Sequence, residues 1–501
     1  MAGKAPPQIK DPIEPFDFCE SELVIGLVYA VGTDYKPVQD SIESILRERG
    51  YTPNPIRVSA LIQGLTDQHL PAGSEIERVS VRMDAGNAAC RDSGRKDLWA
   101  LAAIAEINKL RGEDSALQAS LPRTAHLIFS LKRPEEVATL RKVYGDGFFL
   151  IGVFATEKER LDSLIEKNAP KQDAIKLIQR DEDEVADEYG QHTREAFQLS
   201  DVFVQLKRGA YREELSRFFS LIFSDPYATP TPQEHAMFLA YASSLRSGQL
   251  GRQVGAAITS KRGDVLAVGC NDVPRPGGGL YWPGPDDRRD HVSGFDTNDK
   301  QRNKIVDLLI SKVPANDGTL DTNALRRNFR SVLDITEYGR AVHAEMDALL
   351  TCARSGVSPQ GAILYATTFP CHNCTRHIIA AGIERVFYIE PYAKSRAEEL
   401  HEDAIVVEEK ASRPSRGSKW RVPFTHFVGV GPRRYFDLFS LNLSRGHELI
   451  RKENGQTIAL SADKSWPRVP LSHFTYIERE RLATAQLDLL PKQLDIFDQN
   501  G

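Results

Sequence analysis

Val342-His343-Ala344-Glu345 and, downstream, Phe369-Pro370-Cys371-His372-Asn373-Cys374 decide how this chain is read. Cys371 and Cys374 are three apart at the start of an expected helix, Cys371–Ala381, so they face the same side. A helix start favours thiolates, through its free N–H groups and its dipole. His343 adds a neutral imidazole. Two thiolates and an imidazole form a zinc set, and three protein ligands leave the fourth position open, the pattern of a catalytic site. A zinc ion (Zn2+) held there lowers the pKa of water towards ~7. Glu345 is not expected to bind metal. It lies two residues from His343, so the two side chains border one cavity only if they sit in the first turn of a helix. Placed there, Glu345 can carry protons. A closed metal cluster without chemistry is the plain alternative, and Pro370 together with the preceding His-x-Glu weighs against it.

The surroundings give these residues an α/β frame. Pro232–Ser247 reads as a helix. Val254–Ser260 and Asp264–Cys270 read as two strands around Lys261-Arg262-Gly263, a hairpin signal. A polar, Gly/Pro-rich stretch, Asp272–Arg340, is broken by one helix at Lys300–Ser311. Val342–Arg354 is a helix, Ala362–Thr367 a strand and Val386–Ile389 another. His372 and His377 read as surface residues, because the two cysteines already fill the local ligand pattern. The remaining cysteines, Cys19, Cys90, Cys270 and Cys352, read as buried or incidental.

H-x-E followed by P-C-x-x-C is the signature of zinc nucleobase deaminases. The stretches GRQVGAAI (Gly251–Ile258), GCND (Gly269–Asp272), VHAEMDALL (Val342–Leu350), TTFPCHNC (Thr367–Cys374) and AAGIERVFYIEPY (Ala380–Tyr392) resemble the deoxycytidylate deaminase branch of the cytidine deaminase-like superfamily. The resemblance covers most of residues 232–395. It implies His343, Cys371 and Cys374 as zinc ligands and Glu345 as the catalytic proton shuttle. It implies substrate contacts from Asn271, Arg252 and Tyr392, each with a plainer reading as a turn residue, a helix cap and a core tyrosine. The family often has Asn where this chain has Asp347.

Ahead of this region, LVIGLVYAVG (Leu23–Gly32) is an apolar run ending in a glycine turn, and Pro37–Arg49 is an amphipathic helix. Strand, glycine turn, helix opens a βαβ unit. HLIFSL (His126–Leu131), FFLIGVFA (Phe148–Ala155) and DVFVQL (Asp201–Leu206) are further strands. Helices at Asp97–Lys109, Pro134–Tyr144 and Glu157–Lys167 separate or flank them. A parallel sheet with helices on both faces follows. The turn Gly26–Asp34 resembles a P-loop in its place between strand and helix, with Gly26, Gly32 and Thr33 in the corresponding positions. Its glycine spacing is one residue too long and the phosphate-binding lysine is missing. Asp34 would repel a phosphate.

Residues 130–154 and 190–204, with 390–405 and 427–439, extend the likeness to bacterial anti-phage dCTP deaminases. Those pair an N-terminal P-loop kinase-like domain with a C-terminal deoxycytidylate deaminase domain. The fold class expected is therefore α/β: an N-terminal P-loop-like parallel-sheet domain and a C-terminal cytidine deaminase-like three-layer α/β/α domain. The expected domains are a leader (1–20), a degenerate P-loop kinase-like domain (21–225), a zinc-dependent deaminase domain (226–440) and a C-terminal extension (441–501). The resemblance implies free deoxycytidine nucleotides (dCTP, also dCMP) as substrates, a homo-oligomer, and depletion of dCTP during phage infection. The first domain is expected to restrain the second in answer to a regulatory nucleotide, an RNA or a phage-derived trigger.

Composition narrows the field. The 501 residues exceed one small deaminase, since domains run to ~100–200 residues each. Apolar residues make up 41% of the chain, which excludes disorder throughout, and six cysteines are too few for a disulfide framework. Net charge is −5, which gives no general attraction to nucleic acid. The insert from Asn271 to Val342 is balanced in charge and offers no cationic groove for RNA or single-stranded DNA, so an editing deaminase is the weaker reading. A housekeeping dCMP deaminase and a bind-only nucleotide sensor also compete. The sensor has no chemical need for Glu345. The longest apolar run, Leu23–Val31, is too short for a bilayer, which needs about 20 residues. A cytoplasmic protein with reduced cysteines, away from membranes, is expected.

Overall fold

Every residue of LVIGLVY in β1 (Leu23–Tyr29) is buried, as in a strand covered on both faces. The computed structural model describes residues 21–66, 74–111, 120–182, 184, 187–206, 209–312, 338–391, 395–407, 421–443, 447–458, 467–471 and 473–488. The expected leader lies outside them. The chain divides into two compact units, Met1–Thr229 with Val428–Gly501, and Pro230–Phe427.

In the first unit the order is β1, α1 (Lys36–Glu48), β2 (Thr52–Arg57), α2 (Val58–Thr66), α3 (Glu75–Ser93), α4 (Leu98–Lys109), β3 (Thr124–Leu131), α5 (Pro134–Tyr144), β4 (Phe148–Phe154), α6 (Glu157–Glu166), α7 (Lys171–Glu182), β5 (Val202–Gln205) and α8 (Tyr211–Ile222). These five strands are parallel and lie in the spatial order β5-β4-β1-β3-β2. The parallel sheet expected from the alternation is present. β2, TPNPIR, escaped the sequence reading because Pro53 and Pro55 argue against a strand. Its edge position, paired with β3 alone, is where proline is tolerated.

Gly26 is not in the turn, where the P-loop likeness placed it. It is mid-strand, and a Cβ there would stand 2.7 Å from Leu131 and 2.8 Å from Phe148. The glycine lets these side chains close over the strand. Gly32 does make the turn, with φ +83°.

The described residues from Val428 onward belong to this first unit, so the second unit ends at Phe427 and not at the expected 440. The short strand Gly429–Val430 pairs antiparallel with β5 and caps that edge of the sheet. The C-terminal helix His473–Asp488 is anchored by charge. Arg111 bridges Glu22 at 2.7 Å and Glu480 at 2.7 Å, all three side chains fully buried, and the Tyr476 hydroxyl donates to Glu22 at 2.6 Å. A buried guanidinium with two carboxylate partners is strongly position-specifying, since losing one partner strands a charge at ~3–5 kcal/mol.

In the second unit, α9 (Pro232–Ser244) leads into the hairpin β6 (Gly255–Thr259) and β7 (Val265–Cys270). After the insert come α10 (Ala344–Ser355), β8 (Ile363–Thr368), α11 (His372–Ala380), β9 (Arg385–Glu390), β10 (Ile405–Val407) and β11 (Val422–His426). The sheet order is β10-β11-β9-β8-β6-β7, with β6 antiparallel to both neighbours and the rest parallel. Gly255 pairs with Cys270 and Ala256 with Gly269, so the two glycines face opposite sides. A Cβ on Gly255 would strike Ala240 O of α9, and one on Gly269 would strike Ala344 O and Ala348 N of α10. The two helices therefore lie on opposite faces of the sheet, giving the expected three-layer α/β/α arrangement.

Among the described residues no helix is long and apolar enough to cross a membrane. The described cysteines, Cys90, Cys270, Cys352, Cys371 and Cys374, are all free and buried.

Candidate metal centre

Two helix starts build the site. His343 is the N-cap of α10, in extended backbone, and Cys371 is the N-cap of α11. The Cys371 sulfur accepts from Cys374 N at 3.5 Å, as a capping side chain does. This holds both cysteines on the first turn. Thr375, fully buried, donates its hydroxyl to Cys371 O at 3.0 Å and ties the turn from beneath. The Ser395 hydroxyl donates to Pro370 O at 2.9 Å.

His343 Nδ1 lies 3.4 Å from Cys371 Sγ and 3.4 Å from Cys374 Sγ, and the three ligand atoms fall within 4.8 Å of one another. Tetrahedral zinc with ordinary Zn–S and Zn–N bonds separates such atoms by about 3.5 Å. The set therefore fits zinc. The two sulfurs share one proton between them. Their mutual hydrogen bond pulls Cys371 down to about 4 and pushes Cys374 well up. A dication would displace that proton, since thiolate is the ligand form. His343 is raised to about 9, first by its bond with Cys371.

Glu345 sits in the first turn of α10, the place its spacing from His343 required, and is 4% exposed. Its Oε2 accepts from Cys374 Sγ at 3.5 Å, so its carboxyl borders the ligand set. Burial raises its pKa, which suits a carboxyl that must alternate between base and acid. A zinc ion in this set supplies a water of lowered pKa and an electrophile. The chain's own part is to hold that centre between two N-caps and to keep a buried carboxyl beside it.

The remaining sequence candidates fall differently. Asn271 is used internally: its Oδ1 accepts from Val254 N at 2.8 Å and its Nδ2 donates to Arg252 O at 2.7 Å. Both bonds pin the approach to β6. Arg252 forms an ion pair with Glu390, and Thr368 donates its hydroxyl to Glu390 at 3.2 Å. Tyr392 lies outside the described residues. Asp347 accepts from Cys270 N at 3.3 Å and pairs with Arg354 at 3.5 Å, so it fastens α10 to β7. Sequence reading missed Thr375, Glu390 and Gly269 as supports. Thr375 could have been found, because it directly follows the second cysteine. The P-loop-like candidates Gly32 and Thr33 belong to the other unit.

The family model for the cytidine and deoxycytidylate deaminase zinc-binding region matches residues 230–390. The deoxycytidylate deaminase of Enterobacteria phage T2 is 31% identical over 158 residues, 32% of this chain and 79% of that protein. The phage T4 deoxycytidylate deaminase is 30% identical over 160 residues, 32% of this chain and 77% of that protein. The dCMP deaminase of cyanophage S-TIM5 in apo form is 20% identical, covering 39% of this chain and 98% of that one, at a TM-score of 0.21. With relatives of that identity matched over most of their length, the chain belongs to the cytidine and deoxycytidylate deaminase family.

Proposed function

We propose that this protein hydrolytically deaminates free deoxycytidine nucleotides, dCTP and also dCMP, to deoxyuridine nucleotides. The observation that carries the reading is the buried Glu345 carboxyl beside the His343, Cys371 and Cys374 donors. Water gains a nucleophilic oxygen at the centre by giving its proton to Glu345. The carboxyl passes that proton to the ring nitrogen as the oxygen adds to C4. It then takes the proton of the new C4 hydroxyl and hands it to the amine, so that the C4–N bond breaks, ammonia leaves and the C4 carbonyl forms.

The first unit is proposed to regulate the second, and the physiological outcome to be depletion of dCTP against phage. The turn after β1 lacks a P-loop lysine, which favours a controlling role over phosphoryl transfer. The charge-balanced insert favours free nucleotides over a nucleic-acid strand.

The test is to incubate the pure zinc protein with dCTP, dCMP, deoxycytidine, CTP and a cytosine-bearing oligonucleotide and to separate the products by chromatography. dUTP and dUMP are expected. Conversion of the oligonucleotide alone would overturn the reading. Regulation is tested with the full chain by substituting surface residues of the first unit and following dCTP loss in infected and uninfected cells. No change in either condition would remove the regulatory role.

A further inference from the structure

The end of β7 and the residues just beyond it are tied to the start of α10 at successive points. Cys270 N donates to Asp347 Oδ2 at 3.3 Å. Two residues on, Asp272 and Val342 exchange both backbone bonds. Asp272 N donates to Val342 O at 3.2 Å, and Val342 N donates to Asp272 O at 2.9 Å. Val342 immediately precedes His343, and Glu345 follows in the first turn of the helix. Whatever fixes Asp272 therefore fixes the backbone that carries the imidazole.

Asp272 is itself fixed by charge. It is fully buried. Its Oδ1 accepts from Val273 N at 2.8 Å and its Oδ2 from Gly248 N at 3.1 Å. Two amides leave a buried carboxylate without a counter-charge, and such a charge needs a cation. Arg289, from the polar insert, supplies it: its Nη1 stands 3.5 Å from Asp272 Oδ2. Arg289 is 6% exposed, and Asp287 grips its other edge as a fork. Nε donates to Asp287 Oδ1 at 3.0 Å and Nη2 to Asp287 Oδ2 at 2.6 Å, which fixes the plane of the guanidinium. A Cβ on Gly248 would stand 2.8 Å from Arg289 Nη1, so the glycine makes room for the guanidinium. A second pair from the insert, Arg340 Nη1 with buried Asp290 Oδ1 at 2.9 Å, holds the chain two residues before Val342.

Groups behind a metal ligand commonly govern its metal affinity or its activity by about 10–100-fold, because they orient the ligand. Here the hold acts on the backbone beside the ligand rather than on the ring. We propose that Arg289 is a positioning residue of the metal centre. It holds the Asp272 carboxylate, Asp272 holds Val342, and Val342 aims His343 at the two cysteine sulfurs. The insert thereby sets the ligand geometry from outside the ligand set. The proposal rests on the deaminase reading only where the test measures rate.

The full chain is prepared free of metal and titrated with Co2+, whose visible absorption reports ligand geometry. A second sample is loaded with zinc and assayed for deamination of dCMP. In Arg289→Gln the cobalt spectrum is expected to shift and Co2+ affinity to fall about 10–100-fold. The rate kcat should fall by a similar factor while KM stays within about twofold, as for an interaction that counts only in the transition state. Gly248→Ala pushes the guanidinium without removing its charge and should shift the spectrum in the same direction. It decides the matter if Arg289→Gln does not fold. Ile405→Ala, a core truncation on the far edge strand β10, is the control: it should lower the melting temperature and leave the cobalt spectrum unchanged. Two results would overturn the proposal. One is a parent-like cobalt spectrum and affinity in both Arg289→Gln and Gly248→Ala. The other is an equal spectral shift in Ile405→Ala, which would mark a general loss of stability. A parent chain that leaves dCMP intact would count against the deaminase reading, and the cobalt measurements would still decide the role of Arg289.

Discussion

Both units place polar groups at the ends of parallel strands, yet they treat them in opposite ways. Beside β8, the Cys371 and Cys374 sulfurs and His343 Nδ1 face one another, and a buried carboxyl waits alongside. After β1, the glycine turn is closed by Asp181, and Lys132 is spent on that carboxylate and on Tyr29 O. Chemistry needs groups whose charge is left unbalanced until a metal or substrate arrives. The second unit keeps such a set. The first has neutralised the charge at its glycine turn.

The largest expected effect lies at the unbalanced centre. Cys371→Ala and His343→Ala should lose zinc, read by elemental analysis, together with all deamination. Glu345→Gln should retain zinc and fold while ammonia release drops by about 10²–10⁴-fold, the worth of a general acid–base group. Full activity in Glu345→Gln would erase the contrast between the units.

Next comes Gly269→Ala. Its Cβ would strike Ala344 O and Ala348 N, on the helix that carries Glu345. The helix must shift, and misplacement of about 1 Å costs on the order of 10²-fold in rate. Zinc content should stay normal, which shows a positioning fault rather than a lost ligand.

In the balanced unit, Asp181→Ala strands Lys132 and the Val31 N–H. Loss of one partner of a buried pair costs about 3–5 kcal/mol. Calorimetric melting should show this loss, and Lys132→Met in the same chain should restore part of it. If Asp181→Ala melts like the parent, the turn is not held by that carboxylate.

The smallest effect is a difference in acid sensitivity. In the second unit, burial pushes His426 down to about 4 from an ordinary 6.5. The unfolded chain takes up a proton near 6.5 that the folded unit refuses, so stability falls as pH drops from about 6.5 to about 4, by up to ~3 kcal/mol. In the first unit, burial alone would raise Glu22, but bonds from His126 and Arg111 prevail and lower it to about 2 from 4.5. Its contribution is lost only as pH falls from about 4.5 to about 2. The second unit should therefore weaken first, and His426→Phe should flatten its pH dependence between 6.5 and 4.

Much of this was legible in sequence, for physical reasons that differ by element. The ligand pair is local: Cys371 and Cys374 share one helix turn, so their spacing states their geometry. β1 and β4 are continuous apolar runs, and burial on both faces demands that; β3 is largely apolar but carries His126 and Ser130. β2 was hidden because its prolines are permitted only by an edge position, which depends on the partner strand. Gly26 was misplaced in the turn because sequence shows a glycine but not the Leu131 and Phe148 side chains pressed against it.

The sequence by itself determined the candidate metal donors, the carboxyl placed beside them and the alternation of strands and helices, because each rests on spacing within one or two turns or on the run of apolar side chains. Only the tertiary structure decided which polar groups are already satisfied. Asn271 spends its amide on Val254 N and Arg252 O, Asp181 closes a turn 150 residues away, and the described residues from Val428 onward return to the first unit. Compensation of charge and hydrogen bonds depends on which distant atoms meet, and spacing along the chain does not encode that.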